Sequence, residues 1–369
     1  MLPEISRSVV MPAPNSPLEI RNYPIPPLQS GSVLLRALVS EVCGTDVHLY
    51  HGRLSGAPYP IIPGHAAVGE IVEIGGELTD VDGALLQKGD AVTFFDVYGT
   101  CNACWFCLVG KASTRCPHRK VYGITMGADQ KPGLSGGWSE YIYLLPGTKV
   151  MKLPSSVSPE SWIGGGCGLL TAVHAIELAN IRLGDRVLVQ GSGPVGLSCA
   201  ALALLSGAGW VGVIGAPMQR LSAAIKMGVD YTLDVTLFSR EERRWRILDS
   251  TSGRGPDIVI EASGNPEAVV EGCELARDSG RYVIVGQYTD NGSVLLNPHL
   301  HINRKHLEIL GCWGSDYSHL WRAKETLSRF ESRINWASLI SHKFTFENAF
   351  EALSTVESGK AVKAVLYPK

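Results

Sequence analysis

Four cysteines in one short segment carry the strongest chemical signal in the chain. Cys101, Cys104, Cys107 and Cys116 follow the spacing C-x2-C-x2-C-x8-C. Zinc binds four thiolates in a tetrahedral shell, and such a closed shell leaves no position for water. Residues 1–16 contain no basic cluster followed by an apolar stretch, so we expect no secretory signal, and thiols or metal ligands before disulfides. The spacing therefore predicts a structural zinc site in the loop 101–116.

Three further donors of the same kind are dispersed along the sequence. Cys43 begins the segment CGTDVH, His65 follows a glycine, and Cys167 ends the run GGGC. Two thiolates and one imidazole, with one position open, are the ligand count of a catalytic zinc site. Spacing alone does not separate this interpretation from three packed core residues, which remain the alternative.

A glycine-rich turn follows an apolar stretch and precedes a helical pattern. Its sequence is GSGPVG, at 191–196. In a dinucleotide-binding fold such glycines permit a tight turn, close approach of the backbone to a pyrophosphate, and packing of the helix on the sheet. The N–H groups at the start of the following helix would face the phosphates. The motif predicts a dinucleotide site formed by Gly191, Gly193, Pro194, Val195 and Gly196.

Strands and helices alternate around this motif. From about residue 184 onward we predict strands at 186–190, 210–214, 257–261 and 281–285, and helices at 195–205, 218–227 and 266–276. This alternation predicts βαβ units on a parallel sheet, and the continuous apolar strands fit a sheet covered on both faces. The residues before 150 contain short β-branched runs bounded by turn residues, which predict a mainly β region. After residue 314 we expect irregular structure that ends in a strand at 361–367.

Composition narrows the classes of function. The 369-residue chain is 45% hydrophobic and 18% charged, with a formal net charge of −2. Because no long run of one charge sign occurs, nucleic acid and anionic membranes are poor partners. The uncharged stretch 187–219 is long enough to span a bilayer, but its glycines and proline divide it into the short elements of a buried core. We expect a cytoplasmic globular protein with no nucleic-acid and no membrane partner.

Taken together, these segments resemble the zinc-dependent alcohol dehydrogenases of the medium-chain dehydrogenase/reductase superfamily. Besides the cysteine loop, the resemblance rests on EVCGTDVHLYHG, PGHAAVGEIVEIG, GGWSEYIYL, GGGCGLLTAVHA, GSGPVG, DIVIEASGNPEA, GRYVIVG and KAVLYP, and covers nearly the whole chain. It implies an α/β fold in which a Rossmann domain, a doubly wound parallel sheet, is inserted in a mainly β GroES-like catalytic domain. The implied boundaries are 1–168 and 313–369 for the catalytic domain, which carries the loop 101–116, and 169–312 for the Rossmann domain.

The resemblance also assigns binding roles to individual residues. It implies that Cys43, His65 and Cys167 bind a catalytic zinc and that Asp46 orients a ligand of that zinc. With the cysteine loop, the implied content is two zinc ions per chain. The implied cofactor-binding set is Gly191, Gly193, Pro194, Val195, Gly196, Gly215, Arg220, Gly264 and Gly286.

A proton relay is the other implied feature. Thr45 would take the alcohol proton and pass it, through the cofactor ribose, to His48 and solvent. Zinc would act as a Lewis acid toward the alcohol oxygen, and hydride would pass from the alcohol carbon to the nicotinamide.

Three positions depart from the pattern of that family. The family usually has glutamate after the zinc-binding histidine, where this chain has Ala66. In some members that carboxylate helps the zinc to exchange its water for substrate. The last gap of the cysteine loop is eight residues instead of the usual seven, an insertion of a kind that surface loops tolerate. The position of the acid that holds the ribose of NAD is occupied by Gly215.

The missing acid predicts that NADP is accepted and preferred to NAD. A carboxylate at 215 would repel a 2′-phosphate, whereas glycine leaves room for it. Pro217 fits the first turn of the next helix, whose N–H groups would face the phosphate, and Arg220 could reach the same group. Exchange of Gly215 for aspartate is expected to reverse the preference.

We therefore predict a zinc-dependent, NAD(P)-linked alcohol dehydrogenase or carbonyl reductase. Asp96 and Tyr98 precede the cysteine loop, a region that borders the substrate cleft in relatives, and a carboxylate there suits a polyol or an amino alcohol. Two alternatives remain: an NADPH-dependent reductase of activated C=C or C=N bonds on the same fold, and a non-catalytic protein that binds zinc and nucleotide. The implied partners are a small-molecule substrate and a second or further copies, as a homodimer or homotetramer.

Overall fold

The computed structural model describes residues 3–368, which belong to two compact units. One unit contains the residues up to Gly166 and those from Asp316 onward, and the other contains Cys167–Ser315. The domain boundaries that the resemblance implies, after residues 168 and 312, remain predictions.

The first stretch of the chain is mainly β, as its short β-branched runs predict. Its elements, in order, are β1 (Ile5–Val10), β2 (Glu19–Pro24), β3 (Val33–Val42), α1 (Gly44–Tyr50), β4 (Ala67–Ile74), β5 (Ala91–Phe94), β6 (Val97–Gly99), α2 (Trp105–Leu108), β7 (Lys120–Val121), β8 (Tyr141–Leu144), β9 (Val150–Lys152) and α3 (Pro159–Ala179). β3 pairs antiparallel with both β4 and β8, and its last residue is one position before the N-cap of α1.

The second unit alternates strands and helices. Its elements are β10 (Arg186–Gln190), α4 (Pro194–Leu205), β11 (Trp210–Gly215), α5 (Met218–Lys226), β12 (Tyr231–Asp234), α6 (Arg240–Ser250), β13 (Ile258–Glu261), α7 (Pro266–Leu275), β14 (Arg281–Ile284) and β15 (Glu308–Gly311). All neighbours are parallel, in the order β12-β11-β10-β13-β14-β15. This is the strand order of a Rossmann fold, so the predicted doubly wound sheet is confirmed.

The chain then completes the first unit. Its last elements are α8 (Tyr317–Phe330), β16 (Ile340–Thr345), α9 (Ala349–Glu357) and β17 (Lys363–Tyr367). β17 pairs antiparallel with β3, which gives a seven-stranded sheet with the path β16-β17-β3-β4-β5-β9 and with β8 on β3. The expectation of irregular structure after residue 314 is wrong, because α8 buries a stripe formed by Leu320, Ala323 and Leu327 at helical spacing.

The uncharged stretch 187–219 does not form one continuous helix that could span a membrane. Residues 187–219 are divided, as predicted, into β10, α4, β11 and the start of α5. A different helix, α3, is long and apolar enough to cross a membrane, with a mean hydropathy of 1.3, but 61% of that window is buried inside the structure. Gly166 interrupts α3 with φ 52° and ψ −150°. A buried and interrupted helix of this kind is typical of a protein core.

Candidate metal and cofactor sites

Four thiols form a cluster in the connection between β6 and β7. Their Sγ atoms all lie within 4.8 Å of one another. Cys116 Sγ lies 3.6 Å from Cys101 Sγ, and Cys104 Sγ lies 3.6 Å from Cys107 Sγ. A tetrahedron with zinc–sulfur distances of about 2.3 Å separates its sulfurs by about 3.8 Å, whereas a disulfide requires about 2.05 Å. The cluster therefore fits a four-thiolate metal shell and does not fit disulfides.

Backbone amides in the same loop favour anionic sulfur. The Cys104 N–H donates to Cys101 Sγ at 3.3 Å, and the Cys101 N–H donates to Cys116 Sγ at 3.3 Å. Backbone hydrogen bonds, first of all the one from Ala103, lower the pKa of the Cys101 thiol. Donors directed at sulfur stabilise the thiolate, which is the form that binds a metal.

Two of the dispersed donors meet where β3 passes into α1. Cys43 is the N-cap of α1, and His65 lies in the loop before β4. Cys43 Sγ lies 3.8 Å from His65 Nε2, and both side chains are buried. The buried Asp46 carboxylate accepts the Cys43 N–H at 2.9 Å and the Gly64 N–H at 3.3 Å. Asp46 thus ties the two segments together through their backbones, and its burial raises the pKa of this carboxyl.

The third dispersed donor is bonded directly to Gly166, where the first stretch of the first unit ends. One ligand atom from each of Cys43, His65 and Cys167 lies within 4.8 Å of the other two. Two sulfurs and one nitrogen are a donor set with which zinc keeps a fourth position open. The structure brings together the three residues that the sequence predicts as ligands, hereafter the three-donor set.

The two relay candidates lie on α1. Thr45 and His48 are both half-buried, and their spacing of three places them on one face of the helix. Burial, followed by the nearby charge of Arg53, lowers the pKa of His48. A lowered pKa keeps the imidazole neutral near neutral pH.

The glycine-rich turn lies between β10 and α4, as predicted. Gly191 has a φ of 112°, and a Cβ at this residue would lie 2.6 Å from Ala262 O. A Cβ at Gly196 would overlap Gly191 O, so the helix can approach the turn only without a side chain there. Gly193 is the N-cap of α4, with open space beside its Cα, and Pro194 follows at the first helical position. Open space at a helix N-terminus fits a pyrophosphate.

A buried carboxylate, which our sequence reasoning missed, organises two more loops at the same edge of the sheet. Glu261, the last residue of β13, accepts the N–H of Ser263 at 2.7 Å, of Gly264 at 2.8 Å and of Gly286 at 3.0 Å. One side chain therefore holds Gly264 and Gly286, two of the glycines that the resemblance assigns to the cofactor. A charged residue at the end of the apolar run DIVIE was the available signal.

The surroundings of Gly215 correct one expectation. Gly215 is buried at the end of β11, and a Cβ there would lie 2.6 Å from Ser192 Cβ and would overlap its hydroxyl. The expectation that glycine leaves room at this position is wrong, because Ser192 fills the space and donates to Ala216 O at 3.0 Å. Aspartate at 215 would collide with Ser192, so it does not test the cofactor. Pro217 caps α5 and lies just outside its first turn, and burial lowers the pKa of Arg220 within that turn.

Asp96, which precedes the cysteine loop, interacts electrostatically with His65, one of the predicted zinc ligands. Burial raises the pKa of Asp96, against the opposing effect of the charges of His65 and Arg119. Tyr98 packs against the core, with its ring centroid 6.1 Å from that of Tyr122. Asp96 is therefore part of the electrostatic environment of His65.

Comparison with known proteins identifies the family. The profile of the alcohol dehydrogenase GroES-like domain matches residues 29–155, and that of the zinc-binding dehydrogenases matches residues 194–330. This chain belongs to the zinc-dependent alcohol dehydrogenase family of the medium-chain dehydrogenase/reductase superfamily. The resemblance stated from the sequence is thereby confirmed.

Relatives from this family match the chain over nearly its whole length. The 5-exo-hydroxycamphor dehydrogenase of Pseudomonas putida is 31% identical, over 98% of this chain and 99% of its own. An L-threonine 3-dehydrogenase of Pyrococcus horikoshii is 31% identical, over 96% and 97% of the two chains. A solved structure of an alcohol dehydrogenase from Thermotoga maritima is 36% identical, with a TM-score of 0.94 over 99% of this chain and 100% of its own. The chain is therefore an oxidoreductase of a family that uses zinc and a nicotinamide cofactor.

Proposed function

We propose that this chain oxidises a secondary alcohol to a ketone, and catalyses the reverse reduction, with NADP or NAD and two zinc ions per chain. The observation that carries the proposal is the presence of two different donor sets, one of four thiols and one of two thiols and an imidazole. The four-thiol set is closed and suits a structural ion. The three-donor set leaves one position for the substrate oxygen.

Within this proposal the chain's own residues manage the proton. Bound zinc would act as a Lewis acid on the substrate oxygen, and bound nicotinamide would accept hydride from the alcohol carbon. The Thr45 hydroxyl would accept a hydrogen bond from the substrate hydroxyl, and the released proton would move from Thr45 toward His48. A neutral His48 imidazole would take that proton and release it to solvent. Asp46 would keep Cys43 in place through the backbone amide that it accepts.

The substrate that we propose is a polyol or an amino alcohol. The names of two relatives give their substrates as 5-exo-hydroxycamphor and L-threonine, and each of these substrates carries a secondary hydroxyl. Asp96 supplies a carboxylate near His65, which would attract an ammonium or hydroxyl-rich substrate. A plain aliphatic alcohol would gain nothing from that charge.

We propose NADP as the preferred cofactor. Position 215 carries no acid to hold the ribose of NAD or to repel a 2′-phosphate. Arg220 lies in the first turn of α5, directly after β11, and a guanidinium suits a phosphate because it can donate two parallel hydrogen bonds. The preference rests on charge alone, since Ser192 fills the space beside Gly215. We also propose a cytoplasmic location, as the composition indicates, and a homodimer or homotetramer, as the resemblance implies.

Metal analysis of purified protein, combined with a turnover screen, tests the proposal. We expect close to two zinc equivalents in the wild type, and one in Cys43→Ser. Cys273→Ser is the matched control, because Cys273 is buried outside both donor sets and should keep both ions. A single zinc equivalent in the wild type that Cys43→Ser leaves unchanged would refute the proposal of a catalytic zinc.

The turnover screen follows the absorbance of the reduced cofactor with secondary alcohols and with ketones, using NADP and NAD in turn. We expect turnover of at least one polyol or amino alcohol, faster with NADP. Protein that holds two zinc ions but turns over no alcohol or ketone with either cofactor would contradict the dehydrogenase assignment.

A further inference from the structure

A buried ion pair that the proposed chemistry does not use lies beside the three-donor set. Lys363 Nζ on β17 lies 2.8 Å from Glu41 Oε1 on β3, and each side chain is only 1% exposed. The same Nζ donates to Gly165 O at 3.1 Å. Glu41 comes two residues before Cys43, and Gly165 comes two residues before Cys167. The pair therefore connects the two backbone segments that carry the thiol donors.

Gly166 packs directly against this ion pair. Its φ of 52° and ψ of −150° are open to glycine and almost closed to other residues. A Cβ at Gly166 would overlap Glu41 Oε2 and lie 2.7 Å from Lys363 Nζ. The carboxylate thus packs against the α-carbon of Gly166, and the next residue in the chain is Cys167. A change in the Glu41 side chain removes the support on which this segment rests.

The backbone of Glu41 is also hydrogen-bonded to Ala66, the position where the family usually has glutamate. Ser40 pairs with Ala67 in the register of β3 and β4, and the Glu41 N–H donates to Ala66 O at 2.9 Å. Ala66 lies one residue before β4, and extension of the Ser40–Ala67 register would place it opposite Glu41, where facing residues have Cβ atoms about 4.5–5.5 Å apart. A carboxylate from position 41 can therefore reach the region that a glutamate at position 66 would reach.

We propose that Glu41, fixed by Lys363, is the positioning carboxylate of the zinc site and stands in for the glutamate missing at position 66. This inference rests on the proposed function, since it presupposes a zinc ion at the three-donor set. Glu41 holds the Cys167 segment against β3 and supplies a negative charge from the neighbouring strand. Its loss accelerates the release of that zinc and leaves the four-thiol cluster unaffected.

Zinc release to a chromogenic chelator tests the inference without any enzyme assay. The phase that belongs to the three-donor set is the one that Cys43→Ser abolishes. We expect Glu41→Ala to accelerate this phase at least tenfold over wild type, with the other phase unchanged. Glu41→Ala combined with Ala66→Glu, which returns the carboxylate from the opposite strand, should slow it again by at least threefold.

Glu271→Gln is the matched control. Glu271 forms another well-buried ion pair, with Arg243 at 2.7 Å and with side-chain exposures of 8% for Glu271 and 15% for Arg243, and it lies outside both donor sets. This variant should lower the melting temperature and leave both zinc phases unchanged. If Glu41→Ala fails to fold, Glu41→Gln, which keeps the shape and removes the charge, takes its place with the same expected acceleration.

Two results would overturn the inference. One is a wild-type release rate in Glu41→Ala or Glu41→Gln, and the other is a double variant that releases zinc as fast as Glu41→Ala. Wild-type protein with a single zinc that is indifferent to Cys43→Ser would refute the proposed function, and this inference with it. Two zinc ions whose release is indifferent to Glu41 would refute the inference alone.

Discussion

Exchange of Gly166 for alanine should destabilise the first unit far more than most glycine-to-alanine exchanges. The first cost is conformational, because φ 52° and ψ −150° lie in a region that is nearly restricted to glycine. Such a backbone costs other residues about 1–3 kcal/mol. The second cost is contact, because the new Cβ would overlap Glu41 Oε2 and lie 2.7 Å from Lys363 Nζ. Either the buried pair opens or the backbone before Cys167 moves.

The magnitude follows from these two costs. Opening a buried ion pair costs about 3–5 kcal/mol, so both costs in full would reach about 4–8 kcal/mol. Because the backbone can yield in part, we expect a loss of at least about 3 kcal/mol. Gly147→Ala is the matched control in the same unit: Gly147 has a φ of 90°, and no atom lies within 4 Å of its added Cβ. It should lose only about 1–2 kcal/mol for the left-handed backbone.

Denaturant unfolding, followed by tryptophan fluorescence and compared at equal m-values, measures the difference between the two variants. A loss in Gly166→Ala within about 1 kcal/mol of the loss in Gly147→Ala would refute the packing argument. A double-variant cycle with Glu41→Ala gives the same test from the other side. Once the carboxylate is absent, Gly166→Ala should lose less, with a coupling of at least about 1 kcal/mol.

Two further predictions concern turnover. Thr45→Ala should slow turnover by about 10²-fold with no loss of zinc, whereas Thr45→Ser, which keeps the hydroxyl, should retain most activity; unchanged kinetics in Thr45→Ala would mean that the relay is wrongly assigned. Arg220→Ala should lower kcat/KM for NADP by about tenfold and leave that for NAD unchanged, because a lost phosphate contact matters only to NADP. Lys226→Ala, at the exposed opposite end of α5, is the control, and a wild-type preference for NAD of tenfold or more would contradict the cofactor proposal.

Four strands of the second unit were predictable almost to the residue, whereas β12, α6 and β15 were not predicted. Its central strands are buried on both faces, so they are continuous apolar runs that glycines and charged residues delimit. The predicted strand at 186–190 is β10 itself, and the others differ from β11, β13 and β14 by one residue. α8 escaped prediction because only three apolar positions form its buried stripe, and charged residues separate them.

The candidate site was predictable where residue type and spacing carry the chemistry, and not where packing does. Cysteines at short intervals indicate a metal shell, whatever the surrounding fold. The space beside Gly215 depends on Ser192, and the Glu41–Lys363 pair joins residues 322 positions apart. Such pairs arise only when strands from both ends of the chain enter one sheet, so the spacing of residues along the sequence does not identify the two partners.

The alanine at position 66 shows how a departure from a sequence pattern can mislead when it is judged position by position. From the sequence, the missing glutamate puts ligand exchange at the zinc in doubt. In the structure, Ala66 lies one residue before β4 and accepts the Glu41 N–H, so extension of the Ser40–Ala67 register would let either position carry a carboxylate to the same region. The carboxylates that act on the zinc ligands should therefore be identified by their distance from the three-donor set in the structure, and not by one sequence position. Two sequence features indicate the buried ion pair: an acidic residue inside the apolar strand VLLRALVSEV and a lysine at the start of KAVLY. A charged side chain in a buried strand requires an opposite charge beside it.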